Sequence, residues 1–126
     1  MKKMAESIAE GMGGSCDFDI QDGYPYLVND EGVTDVCWNA ANEYLGEENV
    51  IPLDLRMTSE DFAYYSQEMP SCFYRLGIAN NAIGINKGLH TGEFDIDENA
   101  LKVGSGLMAW LAIKLLQEDT NLQVKK

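Results

Sequence analysis

Apolar residues recur at Val33, Val36, Cys37, Ala40, Ala41, Tyr44 and Leu45, the i, i+3, i+4, i+7, i+8, i+11, i+12 series of one helix face. Gly46 follows at the position where a glycine closes a helix, and Asn29 stands ahead of the stripe as an N-cap, with Val28 and Val33 at staple spacing. Such a face is stable only when another element covers it. The expected cover is a small sheet, on which a second helix near the other end of the chain also packs. Leu101, Gly104, Leu107, Met108, Leu111 and Leu115 form a second stripe, and Gly106, Ala109 and Ala112 leave room for close packing. Asp97 is the expected N-cap of this helix, Ile96 and Leu101 its staple, and its expected span is residues 98–117 with a polar tail from Glu118 onward. Cys37 lies on the first stripe and reads as a core thiol.

Between and before these helices the pattern changes. Met4, Ile8 and Met12 share one face of a short helix over residues 2–12, stopped by Gly11, Gly13 and Gly14. Residues 16–22 alternate apolar and polar, as a half-buried strand does, until Gly23, Tyr24 and Pro25 break the run. Residues 49–53 read as a brief strand or extended connector. Thr58, Ser59, Glu60 and Asp61 supply a cap and first-turn acids for a helix through about Gln67. Residues 72–78 are the best strand candidate, and residues 79–92 form a long loop rich in Asn and Gly. The expected class is α/β, a small sheet packed by helices.

The balance of 21 acidic against 9 basic residues gives a net charge of -12, which opposes nucleic acid and anionic membrane surfaces as partners. Three cysteines, Cys16, Cys37 and Cys72, show no C-x-x-C spacing and favour reduced thiols in the cytoplasm. The first residues are too polar for a signal peptide, and no apolar run has the length of a membrane span.

The chain has one histidine, His90, set between glycines at the end of the long loop. It is the one imidazole for metal binding or proton transfer near neutral pH, and a surface-loop histidine is the plain alternative. A hydrolytic metal site needs several convergent ligands, which His90 alone does not make. A Cys–His nucleophilic pair would have to use Cys72 or Cys16. Glu60 and Asp61 are adjacent, so on a helix they point about 100° apart, which suits capping better than acid–base work. No glycine-rich loop leads into a helix as a phosphate cradle would.

Several segments in order resemble one family signature. They are residues 57–65 (Met-Thr-Ser-Glu-Asp-Phe-Ala-Tyr-Tyr), Met69-Pro70, Phe73 with Leu76-Gly77, Leu89-His90-Thr91, and Phe94-Asp95-Ile96-Asp97-Glu98 with Ala100-Leu101. The series looks like the C-terminal signature of metal-dependent amidohydrolases related to aminoacylases and carboxypeptidase-type exopeptidases, the group of hippurate hydrolase, N-acyl-amino-acid amidohydrolase and the indole-acetyl-amino-acid hydrolases. It extends back through Gly23-Tyr24-Pro25 and Val28-Asn29-Asp30. Ser71-Cys72 departs from it, standing where the family usually has glycine and a small residue.

The resemblance implies a partial zinc-exopeptidase-like catalytic domain over residues 28–126. Residues 1–27 would be the end of an inserted lid domain of the dimerisation type, a helix and a strand, with the crossing at Tyr24–Tyr26. It implies hydrolysis of the amide bond of N-acyl amino acids or related conjugates at two zinc ions, or manganese or cobalt. His90 falls on the family's last metal ligand, and Ser59, Glu60, Asp61 and Phe62 fall on a segment that shapes the site. Asp95, Asp97 and Glu98 are candidates to orient the His90 ring, with helix capping as the competing role. The family's other ligands and its general base match nothing in this chain. The chain alone is therefore expected to bind no metal and to be inactive, with no catalytic residue of its own. A non-catalytic module that forms a homo-oligomer or docks on a complementing chain is the alternative, and a thiol enzyme using Cys72 and His90 is the third.

Overall fold

In the computed structural model, the backbone is described for residues 1–124 and side chains for residues 1–118. Four α-helices form: α1 (Lys2–Gly11), α2 (Glu31–Leu45), α3 (Ala63–Glu68) and α4 (Asn99–Val124), with 3-10 turns at Glu47–Asn49 and Asn81–Ile83. Helix α2 packs on α4, and this pair makes the core. Cys37 and Ala40 from α2 meet Leu107 and Leu111 from α4, and Val33, Ala41, Leu45, Cys72, Trp110 and Leu115 close around them. Lys114 pairs with Glu43 at 2.5 Å and lies over the Trp110 ring at 4.7 Å, joining the two helices along one edge.

Close approach explains the glycines of α4. A Cβ at Gly106 would collide with the Tyr44 hydroxyl, and one at Gly104 would meet Leu76 Cδ2 at 2.7 Å. The α4 stripe differs from the expected one. Leu107 and Leu111 are buried, whereas Leu101 and Met108 are exposed and Trp110 turns inward instead. Helix α4 also runs beyond residue 117, as far as Val124.

The cap of α2 is a correction. Asp30, not Asn29, is the N-cap, its carboxylate accepting from the Val33 N–H at 2.8 Å. Asn29 is engaged elsewhere: its Oδ1 accepts from the Phe73 N–H at 2.8 Å and its Nδ2 donates to the Phe73 carbonyl at 2.9 Å. The Asp30 N–H adds a bond to the Ser71 carbonyl at 2.9 Å, so the entry to α2 is fastened along residues 71–73. Gly46, at φ 87°, ends α2 as expected.

Helix α3 begins at Ala63, later than the sequence suggests, with Phe62 as its cap residue and no side-chain cap. No β-strand forms among the described residues. The one bridge joins Asn80 to Ile85, and residues 16–22, 49–53 and 72–78 carry no ladder, Asn49 lying in the 3-10 turn. Helix α1 packs on no other helix of the described residues, leaving Met4, Ile8 and Met12 exposed on their shared face. No helix of the described residues is long and apolar enough to cross a membrane.

Candidate functional site

His90 sits in a turn and is exposed, with a left-handed backbone at φ 64°, the one non-glycine residue with positive φ among the described residues. An L-residue held there is uncommon and costs energy, although histidine tolerates it better than most. The loop around it is braced from within. Thr91 Oγ1 donates to the Gly88 carbonyl at 2.9 Å, the Phe94 N–H to the Thr91 carbonyl at 3.2 Å, and Lys87 pairs with Glu93 at 3.2 Å across the turn.

The loop ends are held as firmly. The Asn80 N–H donates to the Ile85 carbonyl at 2.7 Å, and the Asp97 N–H donates to the Ile78 carbonyl at 2.9 Å. Asn80 Nδ2 reaches Asp97 Oδ2 at 2.7 Å, while Asp97 Oδ1 accepts from the Asn99 N–H at 3.0 Å and caps α4. The Asn80 amide, then the Asn99 N–H, hold the Asp97 carboxyl below its usual range. Both oxygens of Asp97 are thus committed to the loop closure and the cap. Asp95 accepts from the neighbouring Ile96 N–H at 2.8 Å. Neither aspartate, nor Glu98, hydrogen-bonds to His90.

The segment before α3 divides into two kinds of residue. Ser59 and Asp61 are exposed and Glu60 is half-buried. Their part in the fold is carried by backbone: the Glu60 carbonyl accepts from the Ala63 N–H at 3.2 Å and the Asp61 carbonyl from the Tyr64 N–H at 3.1 Å. Phe62 packs by its side chain, with ring centroids 5.5 Å from Phe73 and 5.8 Å from Tyr65, and so ties α3 to the segment that Asn29 clamps. No side-chain hydrogen bond or ion pair joins His90 to any of these four residues, nor to Cys72. A groove of about 500 Å³ separates the start of α2 from the end of α3, lined in part by Asp30, Glu31, Glu68 and Ser71. The Ser71 hydroxyl there is enclosed and has no partner. No sequence pattern marked this groove, because it forms between segments that the Asn29 clamp and the Asp30–Ser71 bond bring together from distant parts of the sequence.

Among the described residues no three His, Cys, Asp or Glu side chains converge to hold a metal ion. The described residues therefore do not by themselves fit the two-metal centre that the resemblance implies. His90 is one donor, presented outward on a braced loop.

Comparisons with known proteins agree on one relationship. A profile of Peptidase family M20/M25/M40 matches residues 3–114. IAA-amino acid hydrolase ILR1-like 4 of Arabidopsis thaliana is 33% identical over 95 residues, covering 75% of this chain and 22% of that protein. Thermostable carboxypeptidase 2 of Saccharolobus solfataricus is 30% identical over 115 residues, covering 90% of this chain and 28% of that protein. IAA-amino acid hydrolase ILR1-like 5 of Arabidopsis thaliana is 31% identical over 98 residues, 78% of this chain and 22% of that protein. The chain thus spans less than a third of the length of these relatives. No solved structure gives a significant match.

Proposed function

We infer the function from one premise: the chain belongs to peptidase family M20/M25/M40, a family of metal-dependent hydrolases. The substrate class is N-acyl amino acids or related conjugates, and the reaction is hydrolysis of the amide bond. The support is that relatives along this same stretch are named as hydrolases of amino-acid conjugates and as carboxypeptidases. In this reading His90 is one ligand of a two-metal site with zinc, manganese or cobalt, and the segment Ser59, Glu60, Asp61 and Phe62 shapes that site. The remaining ligands and the general base lie outside these residues, whether earlier in a longer chain or on a complementing chain. The isolated chain has no catalytic residue and turns nothing over.

The observation that carries this reading is the solitary, outward presentation of His90 on a loop braced at both ends. The α/β architecture enters here as well. Residues 16–22 and 72–78 are read as strands whose neighbours are not in this chain, residues 1–27 as the end of a lid and residues 28–126 as catalytic-domain structure. The free state of all three cysteines is in keeping with a cytoplasmic setting.

The test is turnover of N-acyl amino acids by the isolated chain with added zinc, manganese or cobalt. None is expected. Hydrolysis that disappears in His90→Ala would overturn the placing of the remaining ligands outside these residues.

A second reading is a non-catalytic module that forms a homo-oligomer or docks on a complementing chain. The exposure of Met4, Ile8, Leu55 and Met57, at 69%, 58%, 92% and 94%, favours it. A strictly monomeric chain from micromolar to millimolar concentration in light scattering would count against homo-oligomerisation.

A further inference from the structure

Cys37 and Cys72 come from different parts of the chain and meet at the core. Cys37 lies in the second turn of α2 and is buried; Cys72 is half-buried and packs against the cluster that holds Cys37. The meeting is fixed by backbone on either side. The Asp30 N–H binds the Ser71 carbonyl at 2.9 Å, and the Asn29 amide binds both backbone groups of Phe73 at 2.8 and 2.9 Å. These bonds lay Cys72 along the entry to α2, with Asn29 Nδ2 also 3.8 Å from its sulfur. Cys72 thus packs against the buried cluster that contains Cys37, close enough for its charge to act on the Cys37 thiol. Nothing in the hydrolytic reading uses this pair.

We propose that Cys37 and Cys72 are a redox-sensitive pair that closes to a reversible intramolecular disulfide under hydrogen peroxide, tethering α2 to the segment after α3. The order of events follows from exposure. Cys72, the more accessible thiol, attacks a peroxide oxygen as the thiolate; the O–O bond breaks, giving the sulfenic acid, and the departing hydroxide takes up a proton to become water. The Cys37 sulfur then attacks the Cys72 sulfur and gives up its proton. The S–O bond breaks, and hydroxide leaves with that proton as a second water. The two thiols lose two electrons and two protons, and one peroxide becomes two waters. Burial, and then the neighbouring Cys72, push the Cys37 thiol up to about 11, which leaves the first attack on peroxide to Cys72. Cys16, exposed on the segment after α1, has no thiol neighbour among the described residues and takes no part.

The test treats the reduced, folded chain with hydrogen peroxide, alkylates the remaining thiols and maps non-reduced peptides by mass spectrometry. The expected product joins the Cys37 and Cys72 peptides, with the mass of two hydrogens lost and Cys16 still alkylated. Dithiothreitol should restore all three thiols. Cys16→Ser should give the same link, and Cys37→Ala should leave Cys72 as a sulfenic acid that dimedone traps. The wild-type peptide map decides the matter even where a core variant folds poorly. Cys72 carried on to sulfinic acid with Cys37 still reduced, or Cys16-linked dimers as the sole product, would overturn the proposal.

Discussion

Asn29 binds Phe73 through both ends of its amide, accepting from the N–H at 2.8 Å and donating to the carbonyl at 2.9 Å. One side chain thereby stands in for a rung of a β-ladder between segments 44 residues apart. Asn29→Ala leaves two half-buried backbone groups without partners and should cost about 1–3 kcal/mol in urea unfolding. Asn29→Asp keeps the acceptor but turns an oxygen toward the Phe73 carbonyl, so it should recover only part of that loss.

Gly104 and Gly106 both face close neighbours, yet their alanine variants should differ. At Gly104 the obstacle is the end of the flexible Leu76 side chain, 2.7 Å from the added Cβ. A rotamer change there, set against the helix-propensity gain of about 1 kcal/mol, should leave Gly104→Ala near neutral. At Gly106 the obstacle is the Tyr44 hydroxyl and its ring carbon, a rigid group. Gly106→Ala should lose about 1–2 kcal/mol net of propensity, and adding Tyr44→Phe should return part of it, since the ring carbon remains close. Chemical denaturation of the three variants checks both statements.

Asp97 gives the acid side of the stability profile a definite sign. Its carboxyl is held below the ordinary value of 3.8 in the folded chain, by the Asn80 amide first. The stabilisation is therefore complete above that value and is lost as pH falls through the lower folded pKa. Asp97→Asn, which keeps a side-chain oxygen for capping, should be less stable than wild type at neutral pH. The gap should close in acid, read from unfolding midpoints across a pH series.

The left-handed backbone at His90 is a cost borne by the loop. His90→Gly relieves roughly 1–2 kcal/mol of strain and loses roughly 0.5–1 kcal/mol to chain entropy, so it should be neutral to slightly stabilising in urea unfolding. His90→Val should destabilise, because a branched side chain fits that conformation poorly. A destabilised glycine variant would mean that the imidazole has structural partners in solution.

The helical half of the fold is legible in the sequence. The 3.6-residue stripe marked Cys37 and Ala40 for burial, Gly46 marked the end of α2, and Asp97 marked the start of α4. The misses share a cause, which is contact between distant residues. Asn29 is as good a cap as Asp30 locally, and only Phe73 decides between them. Trp110 displaces Met108 from the core face because α4 is set by where Gly104 and Gly106 admit Leu76 and Tyr44. Apolar alternation in residues 16–22 and 72–78 reports which face seeks cover, but a ladder needs a second strand, and none lies beside them among the described residues. For the site, His90 stood out as the one histidine of the chain, and Ser59, Glu60, Asp61 and Phe62 came only with the family resemblance. The groove at Ser71 did not, since no local pattern encodes a gap between chain segments.

The stitch from Asn80 to Asp97 makes the His90 loop a closed cassette. Its span is anchored where it leaves and where it returns, so what happens at the tip need not travel to α2 or α4. Extra residues placed among Gly88–Gly92 should lengthen the cassette at an entropic cost that grows only with the logarithm of its length. The tip that carries the histidine is thus free to vary in reach while the packing of α2 on α4 stays the same.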